Sequence, residues 1–171
     1  NIIYKNFNFF GEGAKSANGG TGLVTGLLAS LGNDVSFSMV YRNYSKDFQN
    51  LKSVAFAESS TNVNEKGLFV GFDGKLNKSW SVSTYMDQFK FPWLKYQIDA
   101  PNTSGFDAIF QLRYKPSRNL DIYARVRTRN KPINTDLEVS DIPSVVSVDQ
   151  NNYRINVIYK ECLLMFLEPT K

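Results

Sequence analysis

Residues 121–131 read DIYARVRTRNK, and the fold class turns on this run. Arg125, Arg127, Arg129 and Lys131 stand two residues apart, while Ile122, Ala124 and Val126 occupy the other parity. Successive side chains of an extended strand point to opposite faces, so a period of two collects the cations on one side and the aliphatics on the other. A helix would scatter both sets around its circumference. The run therefore predicts a strand with one charged and one apolar face.

The same alternation recurs along the chain and helical periodicity is nearly absent, which predicts an all-β protein. Strands are expected near residues 2–10, 21–31, 34–44, 67–76, 80–90, 105–115, 120–130 and 152–160. This is an antiparallel up-and-down meander of about eight strands, many about ten residues long, whereas ordinary globular strands cluster near 5–6 residues and a tilted bilayer-crossing strand needs about 9–11. Three connections are short and built from turn-forming residues: LGND at 31–34, LNKSW at 76–80 and PSRNL at 116–120. Between them lie long polar links at 11–20, 45–66, 91–104 and 131–151. Short turns at one end and longer loops at the other are the arrangement of outer-membrane barrels. KLNKSWSVSTY from Lys75 also lies over KPSRNLDIYAR from Lys115, as a repeated hairpin or as the ordinary likeness of any two hairpins.

The faces sort in the same way. Phe106, Ala108, Phe110, Leu112 and Tyr114 share one parity against Asp107, Ile109, Gln111, Arg113 and Lys115. In the preceding hairpin, Leu68, Val70, Phe72, Trp80, Val82 and Met86 oppose a mixed set that includes Asp73 and Asp87. Trp80, Tyr114 and Tyr159 fall next to short turns, where interface aromatics of a membrane barrel would sit. A soluble sandwich alternates apolar and polar residues too, so strand length and loop placement carry more weight than the alternation itself.

At 171 residues the chain suits a single domain, and 42% hydrophobic, 14% aromatic and 21% charged residues exclude a disordered or fibrous chain. A net charge of +4 and a pI near 9.1 permit an anionic partner without demanding one. Histidine is absent and Cys162 is the one cysteine. An intrachain disulfide, a Cys/His zinc site, a Cys-His dyad and a Ser-His-Asp triad are thereby excluded. No metal, cofactor or catalytic residue is expected. GEGAKS at 11–16 is not a phosphate loop, because that frame needs glycines where Phe9 and Ala14 stand. Glu58, Glu65, Asp73, Asp87, Asp99 and Asp107 are numerous, but no spacing singles out a glycosidase pair. The N-terminal NIIYKNFNFF lacks the features of a secretory signal, and no run of about 18 apolar residues predicts a membrane helix.

Three readings fit the arginine row: the polar lumen of a barrel, a solvated face of a soluble sheet, or an anion or nucleic-acid platform with Tyr123 as the stacking residue. Asp73 and Asp87 on the equivalent face favour the first, since acids would repel a polyanion. The lumen-facing candidates are thus Arg113, Lys115, Arg125, Arg127, Arg129, Asp73 and Asp87.

YRNYSKDFQNL (41–51), AFAESS (55–60), NEKGLFVGF (64–72), FKFPWLKYQIDAPNTSG (89–105) and YKPSRNLDIYARVRTRNKPIN (114–134) together resemble the C-terminal β-barrel region of large Bacteroidota proteins that carry an N-terminal helix-hairpin-helix segment. The resemblance implies the outer membrane of a Gram-negative bacterium and an incomplete chain, with the rest of a longer polypeptide or partner subunits completing the barrel. It brings no catalytic residues. It suggests DNA uptake or binding for the parent proteins, but the helix-hairpin-helix motif is not in this sequence, so nucleic acid is not an expected partner of this segment. The likeness stops after YRINVIYK at 153–160, where ECLLMFLEPTK has no alternation and no terminal aromatic. Residues 1–160 are expected to form the barrel or its fragment, and 161–171 an irregular or truncated tail. The leading expectation is a non-enzymatic outer-membrane barrel with roles in transport or envelope assembly, touching membrane lipid. The alternative is a soluble, lipocalin-like ligand-binding barrel. The two differ in whether Phe106, Phe110, Leu112, Ile122 and Val126 face out to lipid or in to a core.

Overall fold

A computed structural model describes residues 1–50, 55–96, 98–135 and 144–160. These residues contain nine strands: β1 (Ile2–Tyr4), β2 (Phe7–Lys15), β3 (Thr21–Ser30), β4 (Val35–Tyr44), β5 (Glu65–Lys75), β6 (Trp80–Phe91), β7 (Thr103–Tyr114), β8 (Leu120–Thr135) and β9 (Ser144–Tyr159). They form one antiparallel sheet in sequence order, β1 to β9. This is the expected all-β meander. The sheet is open: β1 and β9 are its two edges and do not pair with each other.

Three boundaries depart from expectation. The stretch 2–10 is two strands, because Lys5 adopts a left-handed turn with φ of 51° between β1 and β2. Residues 11–15, expected in a polar link, continue β2, since their backbone pairs with residues 21–25 of β3 in unbroken register. The link 131–151 is largely strand, because β8 and β9 stay paired from Leu120↔Tyr159 to Thr135↔Ser144. Pro132 reads as a strand breaker, yet Val145, Val146 and Val148 on the partner favour extended backbone. The expected irregular tail at 161–171, with Cys162, lies outside the described residues.

Tight connections gather at one end and the longer ones at the other. Asn77 shapes the turn between β5 and β6 by accepting hydrogen bonds on its side-chain oxygen from the amides of Ser79 (2.9 Å) and Trp80 (3.0 Å). Gly32 supplies a φ of 84° in the turn between β3 and β4. Neighbouring turns are laced together by backbone bonds, Lys75 N to Asp34 O at 2.8 Å and Lys115 N to Ser79 O at 2.7 Å. Beside them Trp80 and Tyr114, opposite each other in register, bring their ring centroids to 4.5 Å.

The register fixes two dissimilar faces. One carries Leu23, Leu27, Phe37, Met39, Leu68, Val70, Phe72, Val82, Met86, Phe110, Leu112, Ile122 and Val126. This apolar face is uncovered: Phe110 is 51% exposed and Met86 49%, and Phe106, Leu112 and Ile122 are half-buried. The other face carries Arg42, Glu65, Asp87 and Asp107, all buried. Burial is thus inverted relative to a water-soluble sheet, where apolar side chains go inside and charges out.

The links at the loop end fold over the polar face. Phe89 and Phe91 at the end of β6 pack with Ile98 of the 92–102 link and with Val145 of β9. Fully burying such side chains stabilises by about 1.5–3 kcal/mol each. The large side chains on the polar face lie flat because glycines stand beneath them. A Cβ added at Gly67 would sit 2.4 Å from the guanidinium carbon of Arg42. One at Gly26 would meet the Phe10 ring at 2.4 Å, and one at Gly105 the Phe89 ring at 2.8 Å and the backbone oxygen of Asn130 at 2.4 Å.

Candidate functional site

The polar face is a charge network built strand by strand. Arg42 on β4 donates from Nε to Glu65 Oε1 at 2.5 Å, and from its two terminal nitrogens to both oxygens of Asp87 at 2.7 and 3.1 Å. Arg42 and Glu65 are fully buried. Removing these ions from water costs several kcal/mol each, so the network acts mainly to specify where its parts go. Glu65 also accepts from the amides of Glu58 (2.8 Å) and Ser59 (3.2 Å), which draws the 45–64 link down onto the sheet. Phe56 of that link lies over the Arg42 guanidinium at 5.1 Å and meets Phe69 edge-on at 5.4 Å. The Tyr44 hydroxyl donates to the Phe56 carbonyl at 2.8 Å.

A second centre lies across β7 and β8. Asp107 receives Arg127 in a bidentate pair and Arg129 at 3.0 and 3.2 Å. Asp87 and Asp107 face each other in register, each held by its own arginines. Both oxygens of each carboxylate accept hydrogen bonds from a guanidinium. Arg125 donates to Gln111 at 2.8 Å and lies over the Tyr123 ring at 5.4 Å. Lys131 pairs with Glu58, which closes the 45–64 link against the loop end of β8.

The seven sequence candidates divide accordingly. Arg125, Arg127 and Arg129 share the polar face. Asp87 shares it too, but its partner is Arg42 and not a member of the arginine row. Arg113 pairs with Asp121 near the short-turn end, where it is exposed. Lys115 falls just beyond β7 in the turn and is exposed. Asp73, also exposed, makes no ion pair among the described residues. Arg42, Glu65 and Asp107 carry the network and were not singled out from the sequence. Asp107 was findable, since it shares the parity of Arg113 and its strand pairs with the arginine strand. Arg42 had a weaker signal, as the one charged residue within β4.

At the loop end, Asn64, itself at a φ of 54°, ties two links together. Its amide donates to the carbonyls of Trp93 (2.8 Å) and Leu94 (3.0 Å) and its oxygen accepts from the Trp93 amide (2.9 Å). Beside this junction lies a cavity of about 900 Å³, with Lys46, Trp93, Lys95 and Tyr96 in its walls. The Lys95 ammonium sits 3.5 Å from the Phe91 ring centroid, and burial lowers its pKa from the ordinary lysine value. Among the described residues, no group of three or more Cys, Asp or Glu side chains is placed to hold a metal ion.

No protein-family model matches the chain, and neither a curated protein nor a solved structure matches it.

Proposed function

We propose that the chain is wall of an outer-membrane β-barrel in a Gram-negative bacterium, non-enzymatic, with lipid against its apolar face and a wet interior against its charged one. The inverted burial carries this reading: Phe110 and Met86 are about half exposed while Arg42 and Glu65 are fully buried. Lipid cannot hydrate a charge, so a spanning sheet turns its ions inward and its aliphatics out. Strands of nine or more residues from β2 onward suit the thickness of a bilayer. Trp80 and Tyr114 at the tight-turn end supply amphipathic rings for one interface.

An open edge cannot persist in hydrocarbon, because each unpaired amide or carbonyl there costs several kcal/mol. The 16-residue strand β9 therefore takes further strands, from a longer polypeptide or from partner subunits. With its links folded over the charged face, the wall serves passage or envelope assembly and performs no chemistry of its own.

The test uses a Cys162→Ser background carrying either Phe110→Cys or Gln111→Cys, in membranes, probed with a membrane-impermeant maleimide from the aqueous side. Labelling at 111 with protection at 110 is the expected pattern. Equal labelling at both, or recovery of the protein from the soluble fraction without detergent, overturns the membrane reading.

A further inference from the structure

Most arginines of the sheet take an acid from a neighbouring or next-but-one strand. Arg42 draws on β5 and β6, Arg113 on β8, and Arg127 and Arg129 on β7. Arg125 and Arg154 depart from this rule. They stand directly opposite each other on β8 and β9, and like charges in that position repel. Their partners among the described residues are neutral: Arg125 has Gln111 at 2.8 Å and the Tyr123 ring at 5.4 Å, and Arg154 bonds to the Tyr123 hydroxyl. The acids of β7 to β9 are Asp107, Asp121 and Asp149. Asp107 is held by Arg127 and Arg129 and Asp121 by Arg113, while Asp149 is of the other parity and accepts from Asn130 at 2.6 Å. Ser144, the start of β9, is about 33 Å along the strand from Arg154, farther than the 136–143 link can fold back from its two anchors. An acid for Arg154 has to come from beyond β9.

The backbone of β9 points the same way. It pairs with β8 over all of Ser144–Tyr159, and no strand follows on its other side among the described residues. Sheet edges that remain edges are short, or carry lysine, proline or a bulge. β9 is 16 residues long, reads SVVSVDQNNYRINVIY with neither lysine nor proline, and keeps an unbroken register. On the apolar side, exposure climbs at this edge: Val126 is 38% exposed, its neighbour Tyr153 74% and Ile155 78%.

We propose that β9 binds an antiparallel strand that lays apolar residues beside Tyr153, Ile155 and Val157 and, on the opposite face, a carboxylate level with Arg154. The backbone ladder supplies affinity and the alternate side chains supply selectivity. The inference rests on the reading that β9 takes further strands, and adds the chemistry that selects them. A second copy of the chain does not meet it, because the polar parity of β9 holds no acid and β1 holds none either. Residues 161–171, ECLLMFLEPTK, lack the alternation that two such different faces demand. The occupant is thus a strand from outside residues 1–171, alternating, with Asp or Glu on the parity that faces Arg154.

The probe is a short synthetic peptide of alternating threonine and valine, fluorescein-labelled, with glutamate, glutamine or lysine at the central threonine position. Its anisotropy is read against the detergent-solubilised full chain. The glutamate peptide is expected to bind at least about tenfold more tightly than the lysine peptide, with glutamine between them. Arg154→Gln brings the three together. Arg154→Glu, combined with Arg125→Gln so that the new acid is not taken within the chain, reverses the order, which loss of folding cannot imitate. Far-ultraviolet circular dichroism of the double variant confirms that its strands persist. A chain ended after Lys160 keeps the original order. Equal binding of the three peptides to the unaltered chain, or an order that the double variant leaves unreversed, overturns the proposal. So does binding that appears only once 161–171 are removed, which gives the edge to the chain's own tail. No binding of any peptide, with the expected maleimide pattern intact, overturns this inference and leaves the membrane reading standing. A bound glutamate peptide with a failed maleimide pattern sinks the membrane reading alone.

Discussion

Arg42 on β4 reaches across β5 to grip Asp87 on β6, and it does so over Gly67, the residue directly opposite it in register. Between strands two apart, only a long side chain lying flat on a bare backbone closes that distance. Gly67 is thus as much a part of the ion pair as either charge.

Gly67→Ala places a methyl 2.4 Å from the guanidinium carbon and lifts Arg42 off both carboxylates. Breaking a buried pair by disabling one partner costs about 3–5 kcal/mol, and Gly67→Ala is expected to approach that figure. Chemical unfolding of Gly67→Ala and Arg42→Met side by side is the measurement. The two losses should be similar and the double variant little worse than either, since both remove one network.

Asp107→Asn keeps the shape of the side chain and removes the charge that Arg127 and Arg129 share. Hydrogen bonds to charged groups contribute about 1.5–3 kcal/mol each, and partial retention by the amide keeps the expected loss near the low end of that range. Asp73→Asn, on an exposed acid without an ion pair among the described residues, should leave stability unchanged. Parallel unfolding curves test the contrast.

Phe110→Lys separates lipid from water as the environment of the apolar face. In a bilayer a lysine near the middle of a strand costs about 2–4 kcal/mol. In water the same change removes an exposed ring and should raise solubility at little cost. Folding yield into vesicles, compared for Phe110→Lys and Gln111→Lys, reads the sign.

Lys95 gives a pH dependence whose sign follows from its burial. Its ammonium is held below the ordinary lysine value of 10.5, so the folded chain binds fewer protons there than the unfolded chain. Stability therefore rises with pH between the lowered value and 10.5. Lys95→Met should remove that rise, as seen by comparing unfolding midpoints of the two proteins across the alkaline range.

The fold was largely legible because period-two alternation is a local property of the chain. Arg125, Arg127 and Arg129 announce their shared face without knowledge of any neighbour. The network was less so, because partnership is a matter of register. Asp87 belongs to Arg42, 45 positions earlier in the chain, and no spacing in the sequence encodes that distance. Strand ends were misread where composition opposes pairing, at residues 11–15 and at Pro132, because a backbone ladder already in register overrides weak local preference.

The glycines beneath Arg42, Phe10 and Phe89 have a bearing on calibre. In the barrel wall proposed above, side chains that lie along the sheet would make a lining one layer thick, so the interior would keep its width although its wall bears large groups. Each glycine is then a place where a single methyl tips an overlying ring or guanidinium inward. Gly26→Ala and Gly67→Ala would narrow that space from the wall itself, at fixed strand number and with no change to any loop.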